Sequence, residues 1–188
     1  STKRPAPSTF AIDKIAISAG QTSAEGRFDM KTHGRTGIVA AMQQELSAVL
    51  ARLPDEQRQR VAGRDFWVGH WHGHEVVAVL SRVGKVAAAT TAAALIERFG
   101  VDRIVFTGTA GGLAEGVRVG DLVVADAFMQ HDMDASPLFP RFEVPLYGQS
   151  RFAVDAGLSQ ALAQAAYLAK RETKVTGDGE RNFGCSRG

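Results

Sequence analysis

Arg103-Ile104-Val105-Phe106-Thr107-Gly108-Thr109-Ala110-Gly111-Gly112 is the stretch that decides how this chain folds. A β-branched and aromatic run empties into small residues and glycines, as a buried strand does where it leaves a sheet. The bare N–H groups of such a turn admit an oxygen-rich ligand at close range. The same turn also serves as a tight strand-to-helix connection with no ligand at all. No Gly-Lys-Ser/Thr follows and the full G-x-G-x-x-G spacing is absent, which disfavours the two familiar nucleotide-binding glycine loops.

On the N-terminal side, Val86 to Phe99 reads as an Ala-rich helix capped by Gly100, entered through the turn Ser81-Arg82-Val83-Gly84-Lys85. Phe66 to Trp71 and Glu75 to Ser81 read as two strands around His72-Gly73-His74. Further upstream, Gly37-Ile38-Val39-Ala40-Ala41-Met42 is a continuous apolar run, typical of a strand covered on both faces. It passes into Gln43 to Leu53, where Leu46, Val49, Leu50 and Leu53 keep helical spacing until Pro54. On the C-terminal side, Val119 to Ala127 reads as a strand, His131 to Gly148 as a long loop, and Asp155 to Ala169 as a helix. This succession predicts an α/β fold, a mixed central sheet flanked by helices.

The 188 residues are 45% apolar, enough for one domain with a real core. A formal charge of +2, with both signs interspersed, offers no basic stripe for nucleic acid and points to small-molecule partners. The single cysteine, Cys185, excludes an intramolecular disulfide. With no long apolar span and no signal-peptide core, the expected compartment is the cytoplasm, away from any membrane. Residues 1–35, rich in Ser, Thr, Ala, Gly and basic side chains, read as a flexible extension or leader, with Met30 as a plausible natural start. The domain is expected over residues 36–169, and residues 170–188 read as a disordered tail with little to bury.

Glu45 stands three residues past Met42, near the mouth of the first domain strand, where open α/β sheets bind their ligands. An acid there can hold and deprotonate a water; it can equally be a first-turn glutamate favoured by the helix dipole. Its pairing with the glycine turn is what raises the functional reading, and Thr109 would add a hydroxyl that orients a water or a sugar oxygen. His70, His72 and His74 alternate as zinc ligands on one strand face would. Gly73 breaks that face, so they are read as exposed hairpin histidines and no metal is expected. His131-Asp132-Met133-Asp134 reads as a hydrogen-bonded loop anchor rather than a ligand cluster. Pro137 to Tyr147 carries large apolar groups that cover a pocket, join a second subunit, or simply pack as a loop.

Taken in order, residues 37–45, 81–86, 107–112, 119–124 and 131–134 resemble the 5′-methylthioadenosine/S-adenosylhomocysteine nucleosidases of the purine nucleoside phosphorylase superfamily. The resemblance runs over about residues 36–168. It implies a homodimer without metal or cofactor that hydrolyses the bond between adenine and the ribose of a 5′-thio-substituted nucleoside. By motif position, Glu45 matches the acid that activates the water, and Thr109 stands where the family usually has a serine near that water. Met42 and Val83 match apolar positions around the ribose and 5′-substituent, while Ala110 and Gly111 match backbone on the purine side. The loop at 138–147 would cross to the second subunit, though its Pro-Arg-Phe-Glu-Val-Pro wording departs from better-known members.

The family's later motifs, a Ser-Gly-Asp strand segment, a Met-Glu-Met-Glu-Ala stretch gripping the ribose hydroxyls and an Asp that protonates the departing adenine, have no match after Ala169. The expectation is therefore a truncated product, very weak or inactive on its own, since a missing general acid forfeits about a hundred- to ten-thousandfold in rate. Two alternatives stand beside it. One is a phosphorylase of the same superfamily, for which Arg82 and Lys85 supply basic groups; the other is a non-catalytic nucleoside-binding module.

Overall fold

The computed structural model describes residues 16–21 and 34–176. Residues 1–15 and 22–33 of the expected extension, Met30 among them, and residues 177–188 of the expected tail lie outside the described residues. The elements in chain order are β1 (Ala16–Gln21), β2 (Thr36–Ala40), α1 (Gln43–Leu50), β3 (Gln57–Val61), β4 (Arg64–Trp71), β5 (His74–Leu80), α2 (Lys85–Phe99), β6 (Arg103–Gly108), β7 (Val123–Val124), β8 (Ala127–Met129), β9 (Arg151–Ala153) and α3 (Ala156–Thr176). Among the described residues, seven strands form one sheet in the order β3-β4-β5-β2-β6-β1-β7, and β8 pairs with β9.

The sheet is mixed, and the reason lies in the connections. Short turns join β3 to β4 and β4 to β5, which makes those pairs antiparallel. Crossovers through α1 and α2 make β5, β2 and β6 parallel neighbours, with Ala40 opposite Leu80 and Val39 opposite Phe106. Both hairpin turns have two successive residues at positive φ: Ala62 at 47° and Gly63 at 72°, then His72 at 50° and Gly73 at 81°. That pairing of positive φ values matches the twist of the flanking strands, and it turns the chain inside the histidine triplet.

Alternation along the parallel strands divides the core between two helices. Ile38 and Ala40 of β2 and Val76 and Ala78 of β5 pack with Leu46 and Val49 of α1 and with Leu53. Val39, Val77 and Val79 point to the other face, against Leu95 and Phe99 of α2 and against Phe66, whose ring stacks on Phe99 at 4.6 Å. Gly37 faces α2 as well: a Cβ there would lie 3.1 Å from Leu95 Cδ1. Gly100 ends α2 in the left-handed conformation, with its N–H on Ile96 O and that of Val101 on Leu95 O.

Several elements differ from the sequence expectation. Residues 16–21, assigned to the flexible extension, form β1, antiparallel to β6 and parallel to β7. The helix expected to stop at Ala169 continues through residues 170–176, into the segment read as tail. The strand expected over Val119 to Ala127 is cut to Val123–Val124, because Gly120 turns at φ 93° and the Asp121 carboxylate accepts the Arg118 N–H at 2.8 Å. β3 had no sequence signal; its Gln57-Arg58-Gln59-Arg60 run is exposed on both faces, as an outer edge strand allows. No helix of the described residues is long and apolar enough to cross a membrane.

Candidate active site

The parallel register brings three chain segments to one edge. Ala41 and Met42 follow β2, Ser81 to Val83 follow β5 and Thr109 to Gly111 follow β6, all at the carboxyl ends of adjacent parallel strands. Ser81, almost fully buried, ties two of these ends together by donating its N–H to Ala40 O at 2.8 Å.

Glu45 joins the end of β2 to the end of β6. It is buried in the first turn of α1, where the helix dipole favours a carboxylate. Its Oε2 accepts the N–H groups of Ala41 at 3.1 Å and Met42 at 3.0 Å, which is the backward half of a capping box. Its Oε1 reaches across to β6, accepting the Thr109 N–H at 2.9 Å and the Thr109 hydroxyl at 3.1 Å. The two readings of Glu45 are thus divided between its two oxygens: Oε2 caps the helix, and Oε1 faces the glycine turn.

A carboxylate offers about four acceptor sites, and here four donors occupy them. Three of the donors are fixed amides. The fourth is a hydroxyl that can rotate, so a water reaches Oε1 most easily by taking the place of the Thr109 hydroxyl or by bridging to it.

Of the remaining sequence candidates, Met42 contributes its backbone N–H and keeps a side chain that is 38% exposed. Val83, Ala110 and Gly111 share the same sheet edge but make no contact with Glu45 that builds the site; the Val83 side chain is 80% exposed. An added Cβ on Gly111 would meet nothing within 4 Å, so the backbone there is open to approach. Gly108 and the Ala41 amide are site residues that the sequence reading passed over. The signal for Gly108 was present in the turn, but its partner stands 63 positions earlier in the chain.

The flanking loop is anchored by its acids. Lys85, the first residue of α2, places Nζ 2.6 Å from Asp132 Oδ1, and this hydrogen bond is the main cause that holds the Asp132 carboxyl below its usual range. Asp134 is also lowered, chiefly by the hydroxyl and N–H of Ser136, which donate to Oδ1 at 2.6 and 3.1 Å. Beyond this anchor Leu138, Leu146 and Tyr147 are exposed, with the Tyr147 ring edge-on to Phe152. At the hairpin, His70 has a carboxylate partner the sequence reading did not supply: Asp55 Oδ1 accepts its N–H at 2.8 Å and Oδ2 lies 2.7 Å from Nδ1. These bonds, the backbone one first, lower the Asp55 carboxyl. Among the described residues, no three His, Cys, Asp or Glu side chains converge as a metal site.

Comparison with known proteins gives this chain relatives. A 5′-methylthioadenosine/S-adenosylhomocysteine nucleosidase of Oceanobacillus iheyensis is 41% identical over 100 residues, covering 53% of this chain and 44% of its own. The crystal structure of the nucleosidase of the same name from Neisseria meningitidis, in complex with methylthio-immucillin-A, is similar with a TM-score of 0.70 and 30% identity, over 73% of this chain and 59% of that one. The futalosine hydrolase of Helicobacter pylori is similar with a TM-score of 0.68 and 29% identity, over 73% of this chain and 59% of that one. The chain spans about half the length of the curated relatives it matches first. The sequence profile described as the phosphorylase superfamily matches residues 35–179, most of the chain, and the protein therefore belongs to the phosphorylase superfamily.

Proposed function

We propose that the protein hydrolyses the N-glycosidic bond of 5′-methylthioadenosine or S-adenosylhomocysteine, with Glu45 as the base that activates water. The observation that carries this reading is the reach of Glu45 Oε1 to the end of β6, where Thr109 holds it by two bonds. The names of the similar nucleosidases support the substrate class.

Breaking the bond builds positive charge on the ribose, which water relieves by attacking the anomeric carbon. Oε1 accepts the proton that the attacking water gives up, and the Thr109 hydroxyl orients that water. Met42 and Val83 provide the apolar border for the ribose and 5′-substituent; Ala110 and Gly111 provide backbone beside the purine. The products are adenine and the thioribose. No cofactor or metal enters the scheme. The departing adenine needs a proton as well.

The exposed Leu138, Leu146 and Tyr147 support the further reading of a homodimer joined through the 137–147 loop. A cytoplasmic location and a role in methionine and purine salvage belong to the same proposal. The likeness to futalosine hydrolase favours a second reading, the same hydrolysis on a futalosine-type nucleoside. Of the two basic groups that a phosphorylase could use to hold phosphate, Lys85 is engaged by Asp132, which leaves the exposed Arg82 to carry that alternative. Release of the free purine base from methylthioadenosine, S-adenosylhomocysteine and futalosine, each with and without phosphate, separates these readings. Release without phosphate supports hydrolysis; sugar-1-phosphate formed only with phosphate refutes it. Calorimetric binding without turnover of any of them would leave a nucleoside-binding module.

A further inference from the structure

We propose that Gly108 is a positioning residue for this hydrolysis: its missing side chain lets the Glu45 carboxylate lie against the end of β6, and so makes Oε1 the oxygen that faces the water. A Cβ built on Gly108 would stand 3.1 Å from Glu45 Oε1 and 3.2 Å from both Cδ and Oε2. All three of its nearest neighbours are therefore atoms of one carboxylate. Gly108 is not among the glycines at positive φ, so the backbone itself accepts alanine and the nearest conflict is with the Glu45 carboxylate.

The carboxylate yields to such a methyl group only by stretching its hydrogen bonds. The two on Oε2 come from Ala41 and Met42, within four residues of Glu45, and move with the start of α1. The two on Oε1 cross 64 positions of chain to a different strand end. The Oε1 bonds give way first, and the oxygen meant for the water loses its alignment while the helix keeps its cap. A displacement of a fraction of an ångström at this point costs on the order of tenfold in the chemical step.

The kinetic part of this inference rests on the proposed hydrolysis, but its geometry is testable without turnover. Solvent exchange of the Ala41, Met42 and Thr109 amide hydrogens in the full chain is followed by NMR. In the unsubstituted protein all three are protected by the Glu45 carboxylate. In Gly108→Ala, Ala41 and Met42 stay protected and Thr109 exchanges about tenfold faster or more, while kcat for adenine release falls about tenfold with KM unchanged. In a Glu45→Asp background, whose shorter side chain leaves room for the methyl, the alanine adds no further loss. A Thr109 amide equally protected in Gly108→Ala, or an equal alanine penalty in both backgrounds, overturns the inference. Should Gly108→Ala fail to fold while Glu45→Asp/Gly108→Ala folds, the conflict lies with the carboxylate as proposed; failure of both overturns it. If the unsubstituted chain releases no adenine, the hydrolysis reading falls, and the Thr109 amide still decides the role of Gly108.

Discussion

Glu45 Oε1 lies 2.9 Å from the Thr109 amide nitrogen, a bond that joins the first turn of α1 to the end of β6 across 64 positions of sequence. Two parallel strands, β2 and β6, run side by side into this junction, so the rigidity of the sheet is passed directly to the carboxylate.

Replacing Glu45 with glutamine keeps the size of the side chain and removes the base. Its NH2 group must also face amide donors where an oxygen now accepts them. Adenine release is expected to fall by at least about a hundredfold. Stability in urea should drop by about 1–3 kcal/mol, the cost of leaving buried donors unsatisfied. Unchanged release would remove Glu45 from the chemistry.

Thr109→Ser keeps the hydroxyl, and Thr109→Val removes it while preserving shape and the amide bond. The serine variant should retain activity. The valine variant should lose about an order of magnitude in kcat/KM, comparable to one hydrogen bond to a charged group. Equal rates for the two variants in a steady-state assay would show that the hydroxyl is idle.

The Lys85–Asp132 bond makes a pH prediction. Because Lys85 lowers the folded-state pKa of Asp132, the stabilisation is present above the ordinary carboxylate range and is lost as pH falls through the folded value. Both side chains are more than half exposed, so the effect is small and salt-sensitive. In Lys85→Met, NMR titration of the Asp132 carboxyl carbon should show its pKa moving up toward the usual range of about 3.9. A titration identical to that of the unsubstituted chain would show that Lys85 does not hold it.

Leu95 is fully buried between α2 and the sheet. Leu95→Ala should destabilise the domain by about 2–5 kcal/mol, measured as a shift of the urea midpoint at constant slope. A cost below about 1 kcal/mol would mean that α2 is not packed on β2 and β5 as described.

The parts of the fold legible in sequence are those whose two faces are both covered or cleanly divided. β2 and β5 are continuous apolar runs because α1 and α2 cover opposite faces, and Leu46, Val49 and Leu53 expose the helical period directly. β3 is illegible for the converse reason: an edge strand of Gln and Arg is held by backbone pairing to β4, which leaves no hydrophobic pattern. The His70–Asp55 contact is equally hidden, since β3 intervenes between the two residues. At the candidate site, Glu45 and Thr109 were each marked by their place after a strand. Their meeting depends on β2 and β6 being parallel neighbours, a property of the register rather than of either segment.

Hydrolysis of methylthioadenosine in ¹⁸O-labelled, phosphate-free water, with the protein in excess over substrate, tests the central claim most directly. The account predicts adenine together with thioribose carrying the label at its anomeric hydroxyl, formed by the unsubstituted chain and lost in Glu45→Gln. Label incorporation that proceeds equally in Glu45→Gln, or product that forms only when phosphate is added, would contradict it.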